Sequence, residues 1–86
     1  MVRVELRPAA VRALDELPVV ALARIADALE LLRSFPRTGR FHAESGFYAM
    51  TVALRRRRWS YRIVYRFHGD VIVVHFIEPG WRTPPR

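Results

Sequence analysis

Arg55–Phe67, RRRRWSYRIVYRF, decides how the rest of the chain is read. From Trp59 the residues alternate strictly: Trp59, Tyr61, Ile63, Tyr65 and Phe67 share one parity, and Arg58, Ser60, Arg62, Val64 and Arg66 the other. A repeat of two is the period of a strand, whose successive side chains point to opposite faces of its sheet. One face is therefore aromatic and apolar, and the other carries arginine. Thr, Ser, Glu or Lys would serve equally well on a merely wet face, so the choice of Arg points to a partner with negative charge.

The rest of the chain supplies elements for that strand to pack against. Upstream, Phe47–Leu54 is a second strand of mixed apolar character, and the run Arg55–Arg58 is the turn between the two. Downstream, Phe67-His68-Gly69-Asp70 is a tight hairpin signal, with Gly69 supplying the positive φ that such turns need. Val71–Ile77, VIVVHFI, is almost all β-branched or aromatic. A strand without alternation belongs inside a sheet and is expected to be covered on both sides.

At the N-terminus, Val2, Val4 and Leu6 alternate with Arg3, Glu5 and Arg7, which reads as a short half-buried strand ended by Pro8. Pro8 fits the first turn of a helix, and Val11, Leu14 and Leu17 follow at helical spacing over residues 8–17. Pro18 breaks that helix. A second helix carries Leu22, Ile25, Ala26, Leu29 and Leu32 as its apolar stripe and stops at Pro36. With almost no loop between them, the two helices fold back as a hairpin and present their stripes to the same sheet face. Residues 36–46, PRTGRFHAESG, read as a loop, and the tail EPGWRTPPR as an extended end.

The expected fold class is α+β: a small antiparallel sheet in the order β-α-α-β-β-β with a two-helix hairpin packed on one face. The other face is open and inherits Arg62 and Arg66. The 86 residues make one domain, 1–86. With no cysteine and three scattered histidines, neither a disulfide framework nor a metal site is expected, and no cofactor is implied. No apolar run approaches the ~20 residues of a membrane span, and no secretory leader is evident, so a cytoplasmic location is expected.

The formal charge of +7 comes entirely from arginine. From Glu44 onward eight Arg face three acids, whereas before it seven Arg face five, so the excess lies in the half that forms the sheet. Such gathering of positive charge is the footprint of a polyanionic partner, either nucleic acid or an acidic protein segment.

The order of elements, the LDELP end of the first helix, the strand Tyr61-Arg62-Ile63-Val64-Tyr65, the short hairpin and the apolar last strand together resemble the RelE/ParE superfamily of type II toxins. The ending VVHFIEPGWRTPP looks closest to the HigB-type branch, Arg82-Thr83-Pro84 standing where that branch ends in Lys-Thr-Pro. The likeness covers essentially the whole chain. It implies a RelE-like fold and a toxin silenced by a cognate antitoxin, whose acidic or apolar segment would lie on the basic face or a sheet edge. It further implies a ribosome-dependent mRNA endonuclease that inhibits translation without a metal.

By that resemblance Arg62 matches the arginine of the family's Tyr-Arg-x-Val-Tyr strand, and Arg82 the basic residue after the last strand; both would hold the scissile phosphate. His75 is the candidate acid/base, its other reading being a core histidine. Glu78 is a second candidate base or a solvated strand end. Arg55, Arg56, Arg57, Arg58 and Arg66 would bind RNA backbone, with Arg55–Arg58 otherwise a charged turn, and Trp81 would stack on a base or fold onto the core. RelE itself has lysines one and three positions after the tyrosine of the preceding strand, whereas Tyr48 here is followed by Ala49 and Thr51. That departure keeps two other readings open: a ParE-like poison of DNA gyrase that acts by binding, and an inactive RelE-fold relative that binds RNA.

Overall fold

The computed structural model describes residues 2–54 and 60–80. Its elements are β1 (Arg3–Leu6), α1 (Pro8–Glu16), α2 (Val19–Ser34), β2 (Arg40–His42), β3 (Phe47–Ala53), β4 (Ser60–His68) and β5 (Val71–Pro79). The five strands form one sheet in the order β1-β5-β4-β3-β2. No helix among the described residues is long and apolar enough to cross a membrane.

β4 lies at the centre of the sheet, and its two parities separate as the alternation requires. Ile63 and Tyr65 are fully buried, and Tyr61 and Phe67 pack against the same core. Arg62 and Arg66 lie on the opposite face, which no helix among the described residues covers. The turn to β5 is Gly69-Asp70, with Gly69 at φ 58° and His68 paired with Val71. A two-residue hairpin needs a positive φ at its first central position when the second is negative, and glycine reaches it without Cβ strain.

α1 begins on Pro8, whose missing N–H costs nothing in a first turn, and Ala10 seats that helix against the sheet with no exposed surface. In α2 the buried residues are Ala21, Ile25, Ala28 and Leu32. The spacing is helical as expected, but the stripe is rotated: Leu22 is 40% exposed, and Ala21 and Ala28 lie underneath. Small residues at the contact let the helix approach a sheet already filled by Tyr65, Ile63, Ile72 and Val74.

Three features differ from the sequence-based expectation. Residues 36–46 are not all loop, because Arg40–His42 pairs antiparallel with β3 as a short edge strand. β1 pairs with β5 in parallel, from Arg3 against Val71 to Leu6 against Val74, so the sheet is mixed. The α1–α2 connection carries the chain from β1 at one edge of the sheet to β2 at the other, and three successive antiparallel pairings then bring β5 back beside β1 in the same direction. Finally, β5 is an inner strand as expected but is covered on one side only: Ile72, Val74 and Ile77 are buried, whereas Val71, Val73 and His75 are half-buried and Phe76 is exposed.

Candidate functional site

The open face is built by register. Thr51, Arg62 and Glu78 stand side by side across β3, β4 and β5, and Ala49, Val64 and Phe76 form the next row. Between these rows and the turn, the β4–β5 ladder slips by one residue at Val64/Tyr65, with Tyr65 facing Val74 but Val64 facing Phe76. His75 is the extra residue of this bulge. From the turn to Val74 the even-numbered residues of β5 face the core, and beyond the bulge the odd-numbered Ile77 does. The slip thus turns both Phe76 and Glu78 to the open face, because one inserted residue inverts the parity of all that follows.

Two small clusters result. In the first, Arg62 Nε and Nη2 both donate to Glu78 Oε1, at 3.0 and 2.5 Å. The two side chains are 48% and 41% exposed, so the ion pair itself is worth at most about 1 kcal/mol. A phosphate contributes roughly 1.5–3 kcal/mol through charge-assisted bonds to such a guanidinium. Glu78 therefore holds Arg62 in place without preventing a phosphate from taking it.

In the second cluster, Arg66 lies over the Phe47 ring, its Cζ 4.2 Å from the centroid, and its Nη2 donates to Ser45 O at 3.3 Å. Its Nε is buried and makes no hydrogen bond among the described residues. His75 meets the same Phe47 ring edge-on, at 5.0 Å and 85°. Three residues of β5 separate His75 from Glu78, roughly 10 Å at ~3.3 Å per residue, so His75 stands with Arg66 and not in the Arg62 pair.

His75 is not a core histidine. It is half-buried on the open face, and its pKa is lowered from 6.5, first by partial burial and then by the nearby Arg66 and Arg7 guanidinium groups. The imidazole is consequently neutral at pH 7 and able to accept a proton. The same shift predicts a stability effect. The unfolded chain takes up the proton first as pH falls below about 6.5, so His75 lends stability above that pH and loses it progressively below. Urea midpoints measured through this window should fall with acid for the wild type and fall less steeply for His75→Gln.

Arg55, Arg56, Arg57, Arg58, Trp81 and Arg82 lie outside the described residues. Of the anticipated site residues that are described, Arg62, Arg66 and His75 share the open face. Sequence reasoning did not place Phe47 and Phe76 there, because the β3–β4 register and the bulge decide which way each ring faces. Among the described residues, no group of three or more His, Asp or Glu side chains could hold a metal ion.

The family model for the ParE toxin of type II toxin–antitoxin systems matches residues 4–78. The chain belongs to the ParE toxin family. Solved structures show the same fold for this ParE-family toxin. The Escherichia coli RelE toxin within its intact RelBE complex superposes with a TM-score of 0.78 at 17% identity, covering 95% of this chain and 100% of that one. Isolated E. coli RelE gives 0.77 at 17% identity, over 96% and 88% of the two chains. RelE in the archaeal RelE–RelB complex of Pyrococcus horikoshii gives 0.62 at 20% identity, over 95% and 98%. A search of curated proteins returned no significant match. The RelE/ParE toxin identity and the RelE-like α+β fold expected from the sequence therefore both hold.

Proposed function

We propose that this ParE-family toxin is a metal-independent endoribonuclease that cuts mRNA on the ribosome and so inhibits translation. The observation that carries the reading is one open sheet face holding Arg62, Arg66 and a neutral His75. In the reaction the 2′-hydroxyl oxygen attacks the adjacent phosphorus and the 5′-oxygen leaves. His75 takes the 2′-proton, and the leaving oxygen receives a proton from water. Arg66 holds another phosphate of the same strand, and Arg62 meets the charge that builds on the scissile phosphoryl oxygens, the step at which fixed cations contribute most. Arg82 adds a further cation to the phosphate, Arg55–Arg58 track ribosomal RNA backbone, and the likeness of the Arg-Thr-Pro ending to Lys-Thr-Pro supports a HigB-type toxin.

The partner is an antitoxin. RelE is seen bound to RelB in two of the similar structures, which supports an equivalent protein here. An acidic segment suits the open face, and the outer edge of β1, paired on one side only by β5, suits an added strand.

A second reading, a gyrase poison acting by binding, is favoured by one observation. β3 offers only Ala49 and Thr51 to the face beside Val64 and Arg62, with no cation or base. Purified toxin added to a translation reaction separates the two. New 5′ ends in the message, mapped by primer extension at codon positions and absent without ribosomes, are expected. Intact message together with inhibited gyrase supercoiling would overturn the nuclease reading.

A further inference from the structure

The nuclease reading leaves unexplained a phenylalanine placed on the solvent side of the sheet. Phe76 is 48% exposed, although fully burying such a ring would favour folding by roughly 1.5–3 kcal/mol. Its exposure follows from the one-residue bulge at His75: without the slip Phe76 would share the core parity of Ile72 and Val74. With it, the ring pairs with Val64, midway between Arg62 and Arg66 on the neighbouring strand. It also continues an aromatic line, since His75 lies 6.3 Å from Phe76 and 5.0 Å from Phe47.

We propose that Phe76 is a stacking platform for one unpaired base of single-stranded RNA, with phosphates upstream and downstream of that base held by Arg62 and Arg66. This rests on the reading of RNA as the ligand of the open face, and assigns which residue takes a base. The spacing supports it. Four residue steps along β4 separate the two arginines, about 13 Å at ~3.3 Å per step, wider than the distance between neighbouring phosphates of one strand, so the two hold phosphates that are not nearest neighbours. A single strand that bridges both passes over Phe76 and brings an unpaired base of the intervening stretch to the ring. Such bases are taken up on aromatic rings, a contact that tolerates any sequence because every base has a π-face. Positive charge on either side of an exposed ring favours a polyanion with flat, apolar units. An acidic peptide would match the arginines and leave the ring without an equivalent partner.

Binding of a short fluorescent single-stranded oligoribonucleotide to the full chain tests this by anisotropy. Phe76→Ala is expected to weaken binding by about 5- to 150-fold, the equivalent of ~1–3 kcal/mol, while Phe76→Trp keeps it. The salt dependence should not change, because the phosphate contacts remain. An oligonucleotide with one abasic position should lose affinity for the wild type in at least one register and lose none for Phe76→Ala. Unchanged affinity in Phe76→Ala, with its urea midpoint also unchanged, overturns the platform alone. No RNA binding by the wild type overturns the platform and the RNA reading together, as does binding of an acidic peptide that depends on Phe76 where RNA does not.

Discussion

Arg62→Ala is expected to lower RNA cleavage by about 100- to 1000-fold, with growth arrest lost on expression, while the protein remains folded. The magnitude is that of removing one fixed group that meets transition-state charge. Folding is spared because the side chain is 48% exposed and its ion pair is worth at most about 1 kcal/mol. Arg62→Lys should rescue only part of the activity, since an ammonium keeps the charge but not the planar fork that two phosphoryl oxygens engage. Glu78→Gln provides the opposite control. It removes the carboxylate that occupies Nε and Nη2, so RNA binding should tighten by up to about 5-fold. Cleavage measured in single turnover, with anisotropy for binding, separates the two effects. Full cleavage by Arg62→Ala would remove Arg62 from the site.

The contrast between Arg62 and Glu78 shows what could be read from the sequence. β4 was legible because Tyr61, Ile63, Tyr65 and Phe67 alternate without exception, and a period of two has no competing interpretation at that length. The turn at Gly69 was legible from its positive φ requirement, and both helices from prolines that open or stop them. Counting outward from Gly69-Asp70 pairs Arg66 with Val73 and Tyr65 with Val74, as found. Carried further without a bulge, the same count sets Arg62 against Ile77 and turns Glu78 and Phe76 to the core.

VIVVHFIEP contains nothing that announces the slip, because His, Phe and Ile all suit either face. The bulge is decided by tertiary packing, with Ile77 rather than Phe76 completing the core. β2 escaped for a related reason: Arg40-Phe41-His42 is exposed throughout and has no apolar alternation to declare it. The parallel pairing of β1 follows from the strand order of the whole sheet, which no local pattern encodes. Hence the order of most elements and the open-face position of Arg62 were accessible from alternation, and the RelE-like fold from the resemblance, whereas the pairing of Glu78 with Arg62 and the facing of Phe47 and Phe76 required the register.

Tyr65→Phe and Tyr65→Ala are expected to destabilise the toxin by about 1–3 and 3–5 kcal/mol respectively, for separable reasons. Tyr65 has no exposed surface and stacks on Tyr48 at 5.3 Å. Its hydroxyl donates to Pro36 O at 2.8 Å and accepts the Gly39 N–H at 2.9 Å. The approach is so close that a Cβ at Gly39 would lie 2.7 Å from the phenol oxygen, which is why this loop position is glycine. Removing the hydroxyl leaves two backbone groups without their partner, and removing the ring empties the centre of the core. In a domain of this size each kcal/mol corresponds to roughly 4–8 °C in Tm.

The phenol's pKa is also raised above 10, chiefly by burial. The unfolded chain therefore ionises first, and stability falls as pH rises beyond about 10, a component that Tyr65→Phe lacks. Thermal melts at neutral and alkaline pH check both points. The hydroxyl ties residues 36–39 to the sheet immediately before β2, and the next residue along β4, Arg66, holds Ser45 and Phe47 on the other face. Tyr65→Phe should accordingly lower the melting temperature yet leave RNA affinity within about twofold when measured well below it. A large loss of affinity at full folding would mean instead that the loop anchor positions the Phe47 cluster directly.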